Sequence, residues 1–163
     1  MPKLAIRPVF EGHVSYRLLA WLSMAVLAVL TIAGVAATRP EPLLRPRAEV
    51  KGAILQLEVA RSSSEQARGL SGHTPLEQHE AMLFPQLAGS ERQCFWMQDM
   101  TFPIDIIWLD ADARIVQIRE HFAPESYPEA ACGPAQTAHA LELRAGAVAH
   151  FQFERGDHVL LTL

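Results

Sequence analysis

The sequence predicts a mainly β (α+β) protein: a compact antiparallel β sandwich or barrel-like domain with one or two short helices, preceded by a single transmembrane helix. Three observations predict this organisation. Short apolar runs separated by turn residues recur throughout 52–163. Residues 18–37 are apolar and carry no charge. Residues 38–51 combine prolines with charges, which is typical of an extended linker without a core of its own.

The apolar segment 18–37 is long enough to enter or cross a membrane. At 1.5 Å rise per residue, such a helix spans about 30 Å, the thickness of one hydrocarbon core. Two alternatives are open: an uncleaved signal anchor, or a signal peptide that is cut after Ala37. The run exceeds the roughly 7–15 apolar residues of a signal peptide, which favours the anchor. No polar stripe interrupts it, which disfavours a buried core helix.

The first part of the domain shows one strand and one helix. Residues 54–60 alternate between apolar and polar, which predicts a strand with one face in the core. Ser62 followed by Glu65 forms a capping box, which predicts a helix over 63–70 with Gly72 as its stop signal.

The centre of the domain is the aromatic and aliphatic stretch 95–110. Residues 95–98 are typical of a strand end, and 100–103 of a connector, because Pro103 cannot donate to a ladder. Residues 104–109 predict a second strand that meets the first, and the polar turn after it predicts a hairpin with 114–119. The remaining predicted elements are a buried strand over 81–84, an irregular loop over 122–136, a strand over 138–144, one or two helical turns over 147–151, a turn over 154–157 and a strand that ends at Leu163.

Five sequence blocks stand in order along the domain: 66–72, 81–85, 95–97 with 103–110, 141–146 and 154–159. Together they resemble the family called domain of unknown function 192 (DUF192). The resemblance covers about 52–163 and implies a mainly β domain of roughly one hundred residues, often exported and without an established activity. Asp99 stands where an asparagine is expected in this family and Ala113 where a turn glycine is usual.

The resemblance also decides the expected orientation. Basic residues flank the apolar segment on both sides, so the positive-inside rule is nearly balanced. Because the family is often exported, we expect 1–17 to be cytoplasmic and the domain 52–163 to be extracytoplasmic, in the periplasm or at the cell surface. Cleavage after Ala37 would make it a secreted protein.

Composition excludes several classes of function. The net charge of -4 and the pI near 6.0 provide no attraction to phosphate backbones, so we expect no nucleic-acid partner. The histidines lack metal-ligand spacing and the two cysteines are too few for a zinc ribbon, so we expect no metal and no cofactor. There is no Gly-x-Ser-x-Gly motif and no phosphate-binding loop. The expected partners are the membrane, through the N-terminal helix, and an unidentified protein or small molecule.

Asp105 is the most informative polar residue because it lies inside an apolar strand. A buried carboxylate is costly unless it is paired or hydrogen-bonded. We therefore expect a structural latch that accepts backbone amides or pairs with Arg68 and holds the connector 99–103 against the sheet. A general base with a raised pKa is the alternative.

The two cysteines and the aromatic residues each allow two interpretations. Cys94 adjoins the central strand and Cys132 lies in the long loop, so export would permit a disulfide between them, with Cα atoms about 4.4–6.8 Å apart. The alternative is two thiols. The aromatic residues around Trp96 could stack a sugar or a peptide, although core packing explains them as well.

Two classes of function remain. The first is a membrane-tethered extracytoplasmic binding or interaction module, because a β scaffold with an irregular loop suits recognition and no catalytic set is visible. The second is an enzyme with an acidic site assembled from Asp99, Asp105, Glu142 and Arg68. Convergence of these side chains on one open cleft would favour the enzyme. The candidate structural or functional residues are Arg68, Trp96, Met97, Asp99, Asp105, Glu142 and Asp157.

Overall fold

The computed structural model describes residues 45–85 and 92–163 of the chain. These residues form a mainly β domain with a seven-stranded sheet curled into a half-barrel, as the composition and periodicity predict. The elements are β1 (Arg47–Val50), β2 (Ala53–Val59), α1 (Ser63–Arg68), β3 (Glu80–Pro85), β4 (Cys94–Trp96), β5 (Ile104–Leu109), β6 (Ile115–Phe122), a 3-10 turn (Pro124–Ser126), β7 (Ala130–Cys132), β8 (His139–Arg144), α2 (Ala147–Phe151) and β9 (Leu160–Thr162).

The predicted cytoplasmic segment 1–17 and the predicted membrane segment 18–37 lie outside the described residues, as does the first half of the predicted linker 38–51. Within the described part of the chain, no helix combines the length and the hydropathy of a membrane span.

The strand order is β6-β5-β8-β3-β2-β1-β9, so neighbours in the sheet are often distant in sequence. All pairs in this sheet are antiparallel except β2 and β3, which are parallel and are connected through α1. The expected mainly β, barrel-like alternative agrees with this half-barrel, whereas the antiparallel sandwich was wrong: the large sheet is mixed, and the second sheet among the described residues is a ribbon of β4 and β7. A parallel pair needs a crossover connection, which explains the helix between β2 and β3.

Strand β5 is buried over its whole length because both faces of the sheet carry a core. Ile104, Ile106 and Trp108 belong to one hydrophobic cluster, whereas Ile107 and Leu109 belong to the other. The period-2 alternation of a strand thus distributes one continuous apolar run over two cores. This alternation also decides which polar side chains of the sheet can meet.

The predicted elements of the first half are largely confirmed. β2 buries alternate residues, and the capping box of Ser62 and Glu65 is present. The expected stop at Gly72 was wrong: α1 ends at Gly69, whose φ of 50° and ψ of -133° suit a residue without Cβ. The domain also begins earlier than expected, because Arg47–Val50 form a strand between β2 and β9 inside the segment predicted as a linker.

The predicted hairpin of β5 and β6 is confirmed. One residue of its turn has a left-handed backbone conformation, although it is an alanine and not a glycine. Ala113 has φ 57°. The carboxylate of Asp110 accepts hydrogen bonds from the amides of Asp112, at 3.0 Å, and Arg114, at 2.9 Å. These bonds hold the turn, which offsets the steric cost of the left-handed alanine.

Strand β4 does not join β5 in one sheet as expected, since it pairs with β7. The loop 122–136 is accordingly not irregular throughout, because it contains β7 and the 3-10 turn. Cys94 and Cys132 are register partners in this β4–β7 ribbon and form a disulfide. The predicted bridge is confirmed, and the Cα separation of 4.0 Å is slightly shorter than expected.

Candidate functional site

A cleft of about 60 Å³ opens between the end of α1 and the β4–β7 ribbon. The segment 66–71 forms one side, and Cys94, Phe95 and Trp96 form the other, with Met100 and Ile104 nearby. Glu142 of β8 also lines the cleft. A volume of this size admits a head group of a few heavy atoms and the water it displaces.

Glu142 is the unusual residue of this cleft, because its carboxyl group is buried and one of its oxygens has no hydrogen-bond or ion-pair partner among the described residues. The residue is 5 % exposed, and among the described residues its Oε2 atom has no hydrogen-bond partner. None of the ion pairs formed by the described residues includes it. Burial raises the pKa of the Glu142 carboxyl to about 8, because the charged form loses its hydration. The side chain is therefore mainly neutral at pH 7.

The regular geometry of the sheet explains why Glu142 has no local partner. β8 is a central strand between β5 and β3, with Glu142 opposite Ile106 on one side and Met82 on the other. Backbone amides of a regular central strand are used by the ladder, and both register partners are apolar. Among the described residues, none completes the hydrogen bonding of Oε2, and Glu142 lines the open cleft, from which a ligand could reach it.

The end of α1 is held close to Glu142 by two features. Gln66 donates its side-chain amide to the carbonyls of Ala60, at 3.2 Å, and Pro85, at 2.7 Å, which fastens the helix to the sheet. A Cβ atom on Gly69 would lie 3.6 Å from Oε2 of Glu142, so the backbone of Gly69 passes directly beside the carboxyl. The turn at α1 thus forms a wall of the cleft.

The opposite wall is aromatic and covalently fixed. Trp96 is 51 % exposed, and Phe95 packs edge-on against Phe84, with ring centroids 4.9 Å apart. The disulfide between Cys94 and Cys132 joins this wall to β7. Ser71 Oγ donates to the carbonyl of Gln98 at 2.9 Å, which connects the two walls.

Asp105 is the other buried carboxylate, and its environment is the reverse of that of Glu142. It is 0 % exposed, and its two oxygens accept backbone amides from His121, at 2.9 Å, and Val148, at 3.0 Å. The expected acceptance of backbone amides is confirmed. The alternative partner, Arg68, forms no ion pair with Asp105 in the described part of the chain. The expected hold on the connector 99–103 was wrong, because Asp105 instead joins the irregular end of β6 to the first turn of α2.

The acidic site expected from Asp99, Asp105, Glu142 and Arg68 does not assemble. Asp105 is opposite Leu143 in the register of β5 and β8, one position from Glu142, so the two carboxyls are on opposite faces of the sheet. Asp99 is exposed in a turn and is absent from the residues that line the cleft. Arg68 does line the cleft.

The remaining candidates, Met97 and Asp157, make contacts that stabilise the fold. Met97 is 2 % exposed within one hydrophobic cluster. Asp157 accepts the amide of Glu154 at 2.8 Å and lies 3.7 Å from the ammonium of Lys51. The described residues hold no group of three or more His, Cys, Asp or Glu side chains placed to bind a metal.

Sequence reasoning missed Gly69 and Met100, and it ranked Asp105 above Glu142. Glu142 carries the same local signal as Asp105, an acid between apolar neighbours in a strand. Gly69 belongs to the first family-like block, 66–72. Three of the five blocks, those at 66–72, 95–97 and 141–146, contribute residues to this one cleft.

The comparisons with known proteins agree on family and fold. The family model DUF192, Uncharacterized ACR, matches residues 46–161. A crystal structure of a protein of unknown function from Novosphingobium aromaticivorans DSM 12444 is similar, with 28% identity and a TM-score of 0.64; the match covers 74% of this chain and 89% of that one. A proposed transcription regulator from Sinorhizobium meliloti 1021 is also similar, with 25% identity, a TM-score of 0.64 and coverage of 72% and 92%. No protein of curated function matches.

Proposed function

Because the chain belongs to the DUF192 family, whose description names no activity, we propose its function from the cleft: a membrane-tethered extracytoplasmic binding module that takes a ligand at Glu142. One observation carries the proposal. A buried carboxyl group without a hydrogen-bond partner is costly to the fold, and here that group faces an open cleft. Proteins retain such destabilising groups where function requires them, since stability and function compete at functional sites.

A binding module fits the described geometry better than an enzyme does. Catalysis by general acids and bases needs titratable groups within reach of each other and of the substrate. Of the four side chains proposed for an acidic site, only Glu142 and Arg68 line the cleft. A carboxyl whose pKa lies near 8 suits a general acid, and this single observation keeps the enzyme as the second candidate.

The proposed tethering rests on the apolar, uncharged sequence of 18–37. The proposed extracytoplasmic location rests on the resemblance to a family that is often exported, because the basic residues on the two sides of the segment are nearly balanced. The two partners are then the membrane, through the N-terminal helix, and a small molecule or an exposed group of a protein. Nucleic acid is a poor partner for a chain with a net charge of -4.

Binding at the cleft is tested on the full chain in detergent micelles, with its tryptophans labelled with ¹⁵N. Four probes sample different chemistry: n-butylamine, butyrate and n-butanol, which are similar in size, and the larger glucose. We expect at least one probe to shift the indole resonance of Trp96 in a saturable way, and Glu142→Leu to abolish that shift. Trp96→Phe assigns the resonance. If all four probes leave the Trp96 resonance unchanged at millimolar concentration, the cleft is not a binding site.

Tethering is tested separately with a reporter that is active only in the cytoplasm, fused after Leu163. We expect no reporter signal and retention of the fusion in the membrane fraction. Strong signal would reverse the orientation, and a soluble protein that begins at Thr38 would show that the segment is a cleaved signal peptide.

A further inference from the structure

No positively charged side chain among the described residues pairs with the buried acid of the cleft. The register partners of Glu142, Met82 in β3 and Ile106 in β5, are apolar. Cys94 in β4 is bound in the disulfide and does not titrate. Arg68 of α1 is the single other charged side chain among the described residues that line the cleft. It is exposed and forms no ion pair with Glu142 within 4.0 Å.

The walls of the cleft favour a cation over an anion. Phe95 and Trp96 stand on one side, and the negative faces of aromatic rings attract ammonium groups within about 6 Å. Met100 adds a polarisable sulfur and no donor for an anion. An anionic head would pair with Arg68, which lines the cleft but is exposed, so solvent and salt screen its charge more than that of the buried Glu142.

From these contacts we propose that the cleft binds a protonated primary amine, with its ammonium group paired to the Glu142 carboxylate and its first methylene groups against Phe95 and Trp96. This inference rests on the binding function proposed above and names its ligand class. The volume of about 60 Å³ suits a linear aminoalkyl head, such as a free alkylamine or the side chain of a lysine on a partner protein.

Binding of this kind releases a proton. In the free protein burial raises the pKa of Glu142 to about 8, so at pH 7 most molecules carry the proton on the carboxyl group. The arriving ammonium pairs with the carboxylate, and the carboxyl proton leaves to solvent. Affinity should therefore rise about fifty-fold between pH 6 and pH 8 and then level off, because an alkylammonium keeps its own charge to about pH 10.

The test is calorimetric titration of n-butylamine into the full chain in detergent micelles at pH 6, 7 and 8, repeated at pH 7 in two buffers of different ionisation enthalpy. We expect the fifty-fold gain in affinity and close to one proton released per amine bound at pH 7. Glu142→Gln keeps the shape of the side chain and should lose the affinity gain and the proton release. Glu58→Gln, on the exposed face of β2, is the matched control and should behave as the wild type.

Two arms separate the sources of the amine. Nα-acetyl-lysine amide presents the head as a protein would, and n-butylamine presents it as a free metabolite would. Equal affinities indicate that the head alone is recognised, whereas at least tenfold tighter binding of the lysine derivative indicates a protein partner.

The outcomes that overturn the amine differ from those that overturn the binding function. If n-butanol binds as well as n-butylamine, or if affinity falls as pH rises, the amine is wrong while the cleft remains a binding site. Tight binding of butyrate has the same meaning. If Glu142→Gln fails to fold, the pH dependence of the wild type and the loss of affinity in Trp96→Ala still decide the question. If none of the probes reaches the cleft, the binding function itself fails.

Discussion

The two faces of the large sheet each bury one carboxylic acid, and the two acids differ in one respect. Asp105 and Glu142 are one position apart in the register of adjacent strands. Asp105 is matched by two backbone amides, whereas Glu142 has an oxygen without a partner among the described residues. Burial alone therefore does not distinguish the two acids, but the number of their hydrogen-bond partners does.

The difference originates in the backbone around each acid. The register of β5 and β6 shifts next to Asp105, and His121 has φ 51°, so this irregular segment leaves an amide free to bond the carboxylate. The first turn of α2 has no side-chain cap at Gly146, and Asp105 supplies an acceptor to Val148 instead. Glu142 lies in regular central pairing, where such spare amides do not arise.

We expect the largest change in stability from the replacement of Asp105, the buried acid whose two oxygens both accept hydrogen bonds. Asp105→Ala should lower the free energy of unfolding by about 3–5 kcal/mol, because it leaves the buried amide of Val148 and the partly buried amide of His121 without acceptors, each at a cost of about 1–3 kcal/mol. Urea denaturation of the full chain in micelles measures the change.

The control for this prediction is Asp105→Asn, which keeps the shape and one acceptor oxygen. It should lose roughly 1–3 kcal/mol through weakened charge-assisted bonds. If Asp105→Asn is as stable as the wild type, Asp105 is not a latch and becomes a residue to test for catalysis.

Replacing Glu142, the buried acid that has an oxygen without a hydrogen-bond partner, should have the opposite effect and raise the free energy of unfolding. The folded-state pKa of Glu142 is raised from 4.5 to about 8, so as pH rises above about 4.5 the unfolded chain releases this proton while the folded chain keeps it. The free energy of unfolding therefore falls with pH until about pH 8. Glu142→Gln should be about 2–4 kcal/mol more stable than the wild type at pH 8 and within about 1 kcal/mol of it at pH 5.

The same denaturation curves at pH 5, 6, 7 and 8 check this prediction. Glu58→Gln serves as the control: it removes an exposed glutamate and keeps Glu142, so its stability should follow that of the wild type at each pH. A wild type whose stability is flat between pH 5 and pH 8 would mean that Glu142 is already matched, and the contrast with Asp105 would disappear.

The sequence predicts the local elements of this molecule well, because their signals are local. The alternation of 54–60, the capping box at Ser62 and the helix at 147–151 each depend on neighbouring residues. The burial of Asp105 follows from its apolar neighbours for the same reason.

The arrangement of the site is not predictable from these signals, because it depends on which distant strands become neighbours. β8 lies between β5 and β3, and this placement alone puts Glu142 on the face opposite Asp105. The pairing of β4 with β7 is equally non-local, so the local sequence of 122–136 did not predict the strand β7 within it. The conformation of Gly69 has no signal beyond the presence of a glycine.

The smallest expected effect concerns Asp99, the acid that is neither buried nor in the cleft. Asp99 has φ 58° and is exposed, so its turn requires a residue that tolerates the left-handed region, where aspartate and asparagine are both favoured. Asp99→Asn should therefore change the free energy of unfolding by only a few tenths of a kcal/mol, because no buried charge or paired carboxylate is lost. It should also leave the affinity for n-butylamine unchanged, since Asp99 does not line the cleft. The denaturation and titration experiments described for Glu142 measure both quantities. A tenfold loss of affinity in Asp99→Asn would restore Asp99 to an acidic site and would show that exposure, like burial, does not identify the role of a carboxylate.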